Sequence, residues 1–179
     1  MKYIERKTKR IFDITVALFC IVVFSPLYII CYIAIIIDDG RPALFSQERI
    51  GYKGKAFKIH KFRTMRLDAE ESGPQLYNDN DNRLTVVGSF LRRHHLDELP
   101  QMWNVLKGEM SFIGPRPERK YFIDKIMEHD SRYPMLYQLR PGVTSYATLY
   151  NGYTNTMEKM LRRLELDLYY LEHNSLWFD

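Results

Sequence analysis

Between Ile14 and Ile37 the chain runs for 24 residues without a charged side chain, and only Thr15, Ser25 and Pro26 interrupt its apolar character. A run of that length is foreign to an ordinary water-soluble domain. As one straight helix it would reach ~36 Å, enough to cross a ~30 Å hydrocarbon core. Ser25-Pro26 sits at its centre, however. Proline removes a helical hydrogen bond, clashes with the preceding turn and disfavours helix at Ser25. The serine hydroxyl can serve the freed backbone groups, so a bend is tolerable in lipid. Each arm then has about a dozen residues, or ~18 Å, too short to span alone. Such a bent pair dips into one leaflet and returns.

Charge supports the return. Residues 1–10 carry five basic side chains against Glu5, which equals the whole net charge of +4. Residues 41–66 carry eight basic side chains against Glu48. Lys and Arg mark cytoplasmic flanks, so a full crossing puts one basic flank on the wrong side and a re-entrant hairpin does not. A kinked single span is the competing reading. A signal peptide is excluded, because the run is too long and no small-x-small cleavage pattern follows it. Disorder is excluded by 46% hydrophobic and 14% aromatic content, and a disulfide scaffold by two cysteines. Cys20 and Cys31 fall inside the run and read as small buried hydrophobes. The mean hydropathy of −0.34 averages two unlike parts: residues 1–40, a basic N-terminus with the membrane helix, and residues 41–179, a cytoplasmic membrane-associated domain.

The second part reads as α+β and mainly helical. Ala43–Ile50 and Lys55–Arg63 flank Gly51-Tyr52-Lys53-Gly54, the pattern of a β-hairpin with one basic face. Residues 67–82 form an acidic, polar loop whose carboxylates follow no ligand spacing. A helix is expected from near Ser89 and a second from about Asp97–Leu99, because Pro100 fits only a first turn, with Gly108 as its stop. A helix over about Glu118–Glu128 and a turn at Arg140-Pro141-Gly142 follow. The last helix repeats Met157, Leu161, Leu164, Leu168 and Leu171, a stripe suited to core or membrane-surface packing.

The densest chemistry lies in Arg92-Arg93-His94-His95-Leu96-Asp97-Glu98. An ionised Asp97 near a helix start can act as a nucleophile or bind a hard cation. A neighbouring Glu98 with a raised pKa could carry the proton. The bland reading is a capping Asp with an exposed Glu. Adjacent His94 and His95 do not share a helix face, so they read as interfacial or packing residues. Arg92, Arg116 on its stiff Gly-Pro-Arg-Pro loop, and Lys61 and Arg63 around Phe62 could grip phosphate, or, for Arg116, make a structural ion pair. A nucleic-acid partner is disfavoured by the adjoining membrane element. No zinc spacing, Walker loop, dinucleotide fingerprint or Ser-His-Asp signature is present.

Seven motifs occur in order: Lys9-Arg10-Ile11-Phe12-Asp13, Ser25-Pro26, Lys61-Phe62-Arg63-Thr64-Met65, Leu96-Asp97-Glu98-Leu99-Pro100-Gln101, Asn104-Val105-Leu106-Lys107-Gly108-Glu109-Met110-Ser111, Gly114-Pro115-Arg116-Pro117-Glu118 and Arg140-Pro141-Gly142-Val143-Thr144. Together they span nearly the whole chain. In them the sequence resembles the bacterial sugar transferases, the small monotopic phosphoglycosyl transferases that start glycan assembly on a polyprenol carrier. The resemblance implies a re-entrant helix broken at Ser25-Pro26 on the cytoplasmic face of the bacterial inner membrane. It implies transfer of a phosphosugar from a UDP-sugar to polyprenyl phosphate with release of UMP. It makes Asp97 the nucleophile of a covalent phosphosugar intermediate, with magnesium beside its carboxylate, Glu98 handling the proton, and Arg92 and Arg116 on phosphate. A homo-oligomer is compatible with it.

Two departures stand out. Many relatives continue the Arg-Pro-Gly-x-Thr motif with Gly-Trp-x-Gln-Val-Asn-Gly-Arg, where this chain has Ser145-Tyr146-Ala147-Thr148-Leu149-Tyr150-Asn151-Gly152-Tyr153. His94-His95 stands where small or aromatic residues are common. The chain resembles the minimal catalytic form, with no added N-terminal spanning domain and an early end at Asp179. The rival classes are a metal-dependent phosphohydrolase that uses Asp97 against water, and a non-enzymatic peripheral membrane adaptor.

Overall fold

The computed structural model describes residues 3–71, 73, 81–152 and 154–179. The apolar run folds as two helices, α1 (Tyr3–Val23) and α2 (Ser25–Asp39), bent by 62° at Phe24. Pro26 occupies the first turn of α2, where its missing N–H costs no bond, and Ser25 Oγ donates to the Val22 carbonyl at 2.8 Å. α1 is longer than a dozen residues because the Lys- and Arg-rich flank, built of good helix formers, continues the helix outward. No single described helix is long and apolar enough to cross a membrane, but the bent pair passes that test together. Most of its large apolar side chains point outward: Ile11, Phe12, Phe19, Val22, Ile29 and Ile33 are all half or more exposed. An inner stripe of Ala17, Cys31 and Ile35 is buried against the rest of the chain, in keeping with the packing role expected of Cys31.

The hairpin forms as expected, with β1 (Leu44–Ile50) antiparallel to β2 (Ala56–Phe62) in the register Leu44↔Phe62 to Ile50↔Ala56. α3 (Val86–Arg93) starts three residues before the expected Ser89, because Thr85 caps it by accepting from the Gly88 amide. Gly88 also lets the helix lie on the end of β2: a Cβ there would meet the Thr64 carbonyl oxygen at 2.1 Å. A 3-10 turn over Leu96–Glu98 leads through Pro100 into α4 (Gln101–Lys107), which Gly108 ends at φ +84°.

Beyond α4, β3 (Ser111–Ile113) pairs in parallel with β4 (Gly142–Thr144), at the place read as a turn. Strands of three residues are too short to show a period of two. α5 (Lys120–Met127) begins two residues late because Glu118 bridges to Ile50 of β1 instead. A 3-10 segment (Tyr133–Gln138), α6 (Tyr146–Asn151) and α7 (Met157–His173) complete the chain. Of the expected polar loop, residues 72 and 74–80 lie outside the described residues, as does Tyr153 of the departing motif.

Three apolar clusters hold these elements. One joins α5, the 3-10 segment and α7 around Ile126, Leu136 and Leu164; one joins α1, β2 and α4 around Ala17, Ile59 and Val105; one joins α2, β2 and α3 around Ile35, Phe62 and Leu91. Polar ties fasten the helix pair to the remainder. Buried Asp13 accepts from Ser111 Oγ (2.8 Å) and the Phe112 amide (3.1 Å). Arg10 donates to the Val105 and Leu106 carbonyls at the C-terminal end of α4. The Tyr28 hydroxyl donates to the Leu99 carbonyl, and Asp38 accepts from the Val87 amide at the start of α3.

Candidate active site

A cavity of about 590 Å³ opens between the hairpin, the 3-10 turn at Leu96–Glu98, the Gly114–Glu118 loop and α6–α7. Among the described residues, nine Lys and Arg line it against four Asp and Glu, so its walls favour an anion. The fold brings together Lys61, Arg63, Arg92, Asp97, Glu98 and Arg116, which lie in three separate stretches of sequence.

Backbone geometry places the two carboxylates. His95 adopts the left-handed conformation (φ 55°), which is uncommon outside glycine though less so for His. This ends α3 and throws Asp97 inward, where it is 5% exposed. Asp97 therefore does not gain much from a helix dipole, because the turn it sits in is only three residues long. Burial raises its carboxyl above the usual range and Glu98 adds to that, against the pull of Lys61, Arg92 and His95. Asp97 Oδ2 lies 3.9 Å from Lys61 Nζ, while Oδ1 is buried with no hydrogen-bond partner among the described residues.

Glu98 differs from expectation. Burial pushes its carboxyl up, but Lys61 (2.6 Å) and Arg116 (3.5 Å) outweigh that and hold it down at about 2. The raised member of the pair is Asp97. Lys61 is aimed by buried Asn104 of α4, which donates to the Lys58 carbonyl (2.7 Å) and accepts from the His60 amide (3.1 Å). Arg63 faces the cavity wall but turns its guanidinium to the end of α2, donating to the Asp39 and Gly40 carbonyls (2.9 and 2.7 Å) and pairing with the Asp39 carboxylate. In this arrangement it ties α2 to the cavity. Arg116 keeps much of its side chain exposed at the mouth, and Arg92 stands close enough to act on Asp97. Ser25 and Pro26 sit at the bend, away from the cavity. His94 packs at a tilt against Phe90 at the surface, whereas His95 lines the cavity.

The sequence reading missed the cavity floor. Glu118, 7% exposed, takes Arg49 from β1 (2.8 Å) and Arg163 from α7 (2.6 Å), and its own carboxylate also accepts the Arg119 amide (2.9 Å). Burial works against the anion, but Arg163 and Arg49 more than compensate and lower its pKa. Glu70, read as a solvated loop carboxylate, pairs with Arg119 (2.7 Å) at the rim. The available signal was on α7, where Arg163 and Asp167 interrupt the apolar stripe on its buried side.

Of the residues expected at a magnesium ion, Asp97 offers Oδ1, a buried carboxylate oxygen without a hydrogen-bond partner among the described residues, in a cavity whose lining is net positive. No group of three or more His, Cys, Asp or Glu able to hold a metal occurs among the described residues.

Comparison with known proteins agrees with this chemistry. The family model described as bacterial sugar transferase matches residues 4–179. The UDP-N-acetylgalactosamine-undecaprenyl-phosphate N-acetylgalactosaminephosphotransferase of Aeromonas hydrophila is 39% identical over 171 residues, covering 96% of this chain and 40% of the relative. The UDP-glucose:undecaprenyl-phosphate glucose-1-phosphate transferase of Escherichia coli K12 is 38% identical over 178 residues, covering 98% of this chain and 38% of the relative. A transferase of the same name from Caulobacter vibrioides is 39% identical over 175 residues, covering 96% and 65%. The chain thus spans about two-fifths of the first two relatives.

Proposed function

The chain belongs to the bacterial sugar transferase family, and from that premise we propose that it transfers a phosphosugar from a UDP-sugar to polyprenyl phosphate, releasing UMP. The observation that carries the reading is Asp97: a buried carboxylate oxygen without a hydrogen-bond partner among the described residues, in a cavity whose charged lining is net basic. Asp97 attacks the sugar-bearing phosphorus, the bond to the bridging oxygen of the diphosphate breaks, and UMP leaves. A phosphate oxygen of the lipid then attacks the same phosphorus, the aspartyl–phosphorus bond breaks, and Asp97 is regenerated with polyprenyl diphosphate sugar as product.

Phosphoryl transfer asks mainly for position and charge neutralisation. Lys61, Arg92 and Arg116 supply the second from three sides. Magnesium held at Asp97 would add charge neutralisation of the diphosphate. Glu98, ionised while Lys61 and Arg116 hold it, positions those two cations. As a carboxylate at the site it would accept the proton of a monoanionic lipid phosphate as that oxygen attacks. Buried Arg63 acts as a tie to α2.

The bent helix pair supports a monotopic, re-entrant placement with both basic flanks on the cytoplasmic face of the inner membrane, which keeps the cavity at the depth of the lipid phosphate. In this reading the chain serves the first membrane step of glycan assembly, such as an O-antigen, capsule, exopolysaccharide or glycoprotein. The relatives' names include both N-acetylgalactosamine and glucose, so the test is a UMP-release screen across UDP-sugars, with and without polyprenyl phosphate. Release that requires the lipid is expected. Release indifferent to the lipid would make the protein a hydrolase, and no release with any UDP-sugar would overturn the reading.

A further inference from the structure

Lys61 and the Asp97–Glu98 pair sit on different elements, β2 and the 3-10 turn, yet their spacing is tight: Lys61 Nζ stands 2.6 Å from Glu98 and 3.9 Å from Asp97. Their charged side chains face the cavity, and their apolar neighbours in sequence face the other way. Phe62, between Lys61 and Arg63, leaves β2 on the face opposite Lys61 and is 3% exposed. Leu96 and Leu99 bracket the two carboxylates. All three apolar residues pack in the cluster that α2 shares with β2 and α3.

The α2 side of that cluster includes Tyr28, Cys31 and Ile35, which share one helical face. Cys31 and Ile35 contribute apolar packing. Tyr28 makes directed contacts with both elements of the site. Its ring packs at a tilt on Phe62, with centroids 5.8 Å apart. Its hydroxyl donates to the Leu99 carbonyl, which also accepts the Met102 amide (3.1 Å) at the start of α4. One phenol thus touches the residue that follows Lys61 and the residue that follows Glu98, while Tyr28 itself stands outside the cavity lining.

We propose that Tyr28, a residue of the bent helix pair, is a positioning residue for the cavity: it fixes the Asp97–Glu98 turn against Lys61, and so sets the rate of phosphosugar transfer without touching the substrate. The kinetic consequence rests on the transferase reading; the positioning itself does not.

The test uses the full chain in detergent and compares the wild type with Tyr28→Phe and Tyr28→Leu. In Tyr28→Phe the amides of Glu98, Leu99 and Met102, which donate to the His95, Leu96 and Leu99 carbonyls, should exchange hydrogen about fivefold faster, while those of α7 keep their wild-type rates. Unchanged exchange in the turn, or the same quickening in α7, overturns the proposal. With a UDP-sugar and lipid, kcat should fall about fivefold in Tyr28→Phe and about twentyfold in Tyr28→Leu, which also gives up the ring on Phe62, with KM for the UDP-sugar within about twofold of the wild type. A rise in KM with kcat unchanged overturns it. A loss of folded molecules would also lower kcat, so the first turnover is read before lipid is added: the burst of UMP should keep its wild-type amplitude and lose rate. A smaller burst at the wild-type rate overturns the proposal and leaves Tyr28 a support of the fold only. If the wild type shows no UMP burst with any UDP-sugar, the covalent transferase reading fails and the exchange measurements still decide the role of Tyr28.

Discussion

The bent helix pair α1–α2 turns apolar side chains outward, and the cavity beside it turns charged side chains inward. Each region is an inversion of an ordinary globular surface or core. The pair makes sense if lipid is its solvent. The cavity makes sense if a polyanion is its content. They meet through two apolar clusters and through polar ties at Arg10, Asp13, Tyr28 and Arg63. Chemistry and membrane residence should therefore be separable by mutation, and the predictions below try to break that separation.

The largest effect belongs to the cavity alone. Asp97→Asn should lower UMP release by about 10³-fold or more while membrane association is unchanged, measured by activity and sedimentation with membranes. Next comes a contrast in stability. Glu118→Ala leaves Arg49 and Arg163 buried without their anion and should cost about 3–5 kcal/mol, read from thermal unfolding in detergent. Ile33→Ala, on the exposed apolar face, should change the same measurement by less than about 0.5 kcal/mol.

The bend is tested by topology. Lys2, which lies outside the described residues, and Lys53 should both react with a membrane-impermeant reagent only from the cytoplasmic side. Replacing Ser25-Pro26 by Ala-Ala should straighten the helix and expose one of them to the periplasm. Periplasmic labelling of the wild type would sink the re-entrant placement.

These regions also differed in how far the sequence disclosed them. The helix pair, its break at Ser25-Pro26 and the hairpin rest on local patterns: an uncharged run, a proline, alternation around a Gly-rich turn. The Asp97-Glu98 pair was visible as a motif, but which carboxyl is raised was not, because that follows from Lys61 and Arg116, far away in sequence. The Arg49–Glu118–Arg163 floor joins three distant segments and leaves no local trace except two charges in the stripe of α7. Arg63 shows the same limit from the other side: its composition suggested phosphate, and its contacts are with the end of α2.

Smaller effects probe the joints. Tyr28→Phe removes the hydroxyl that reaches the Leu99 carbonyl and should cost about 1 kcal/mol, seen as a modest fall in kcat with membrane association intact. Burial pushes the Asp167 carboxyl up to about 7, against Arg163 and the amides of Arg116 and Ala147. A carboxyl raised on folding binds its proton more tightly in the folded state, so it costs stability progressively as pH rises from about 4 to about 7. Relative to Asp167→Asn, the wild type should therefore lose of order 2–3 kcal/mol between pH 5 and pH 8, measured by thermal unfolding across that range. A difference independent of pH would mean that Asp167 does not titrate in this window.

The central claim is that Asp97 carries the phosphosugar between donor and lipid. Intact-mass and peptide analysis after incubation with the preferred UDP-sugar, without lipid, tests it most directly. A phosphosugar adduct on the peptide containing Asp97 is expected, discharged on addition of polyprenyl phosphate and absent from Asp97→Asn. An adduct on another residue, or full turnover by Asp97→Asn, would contradict the account.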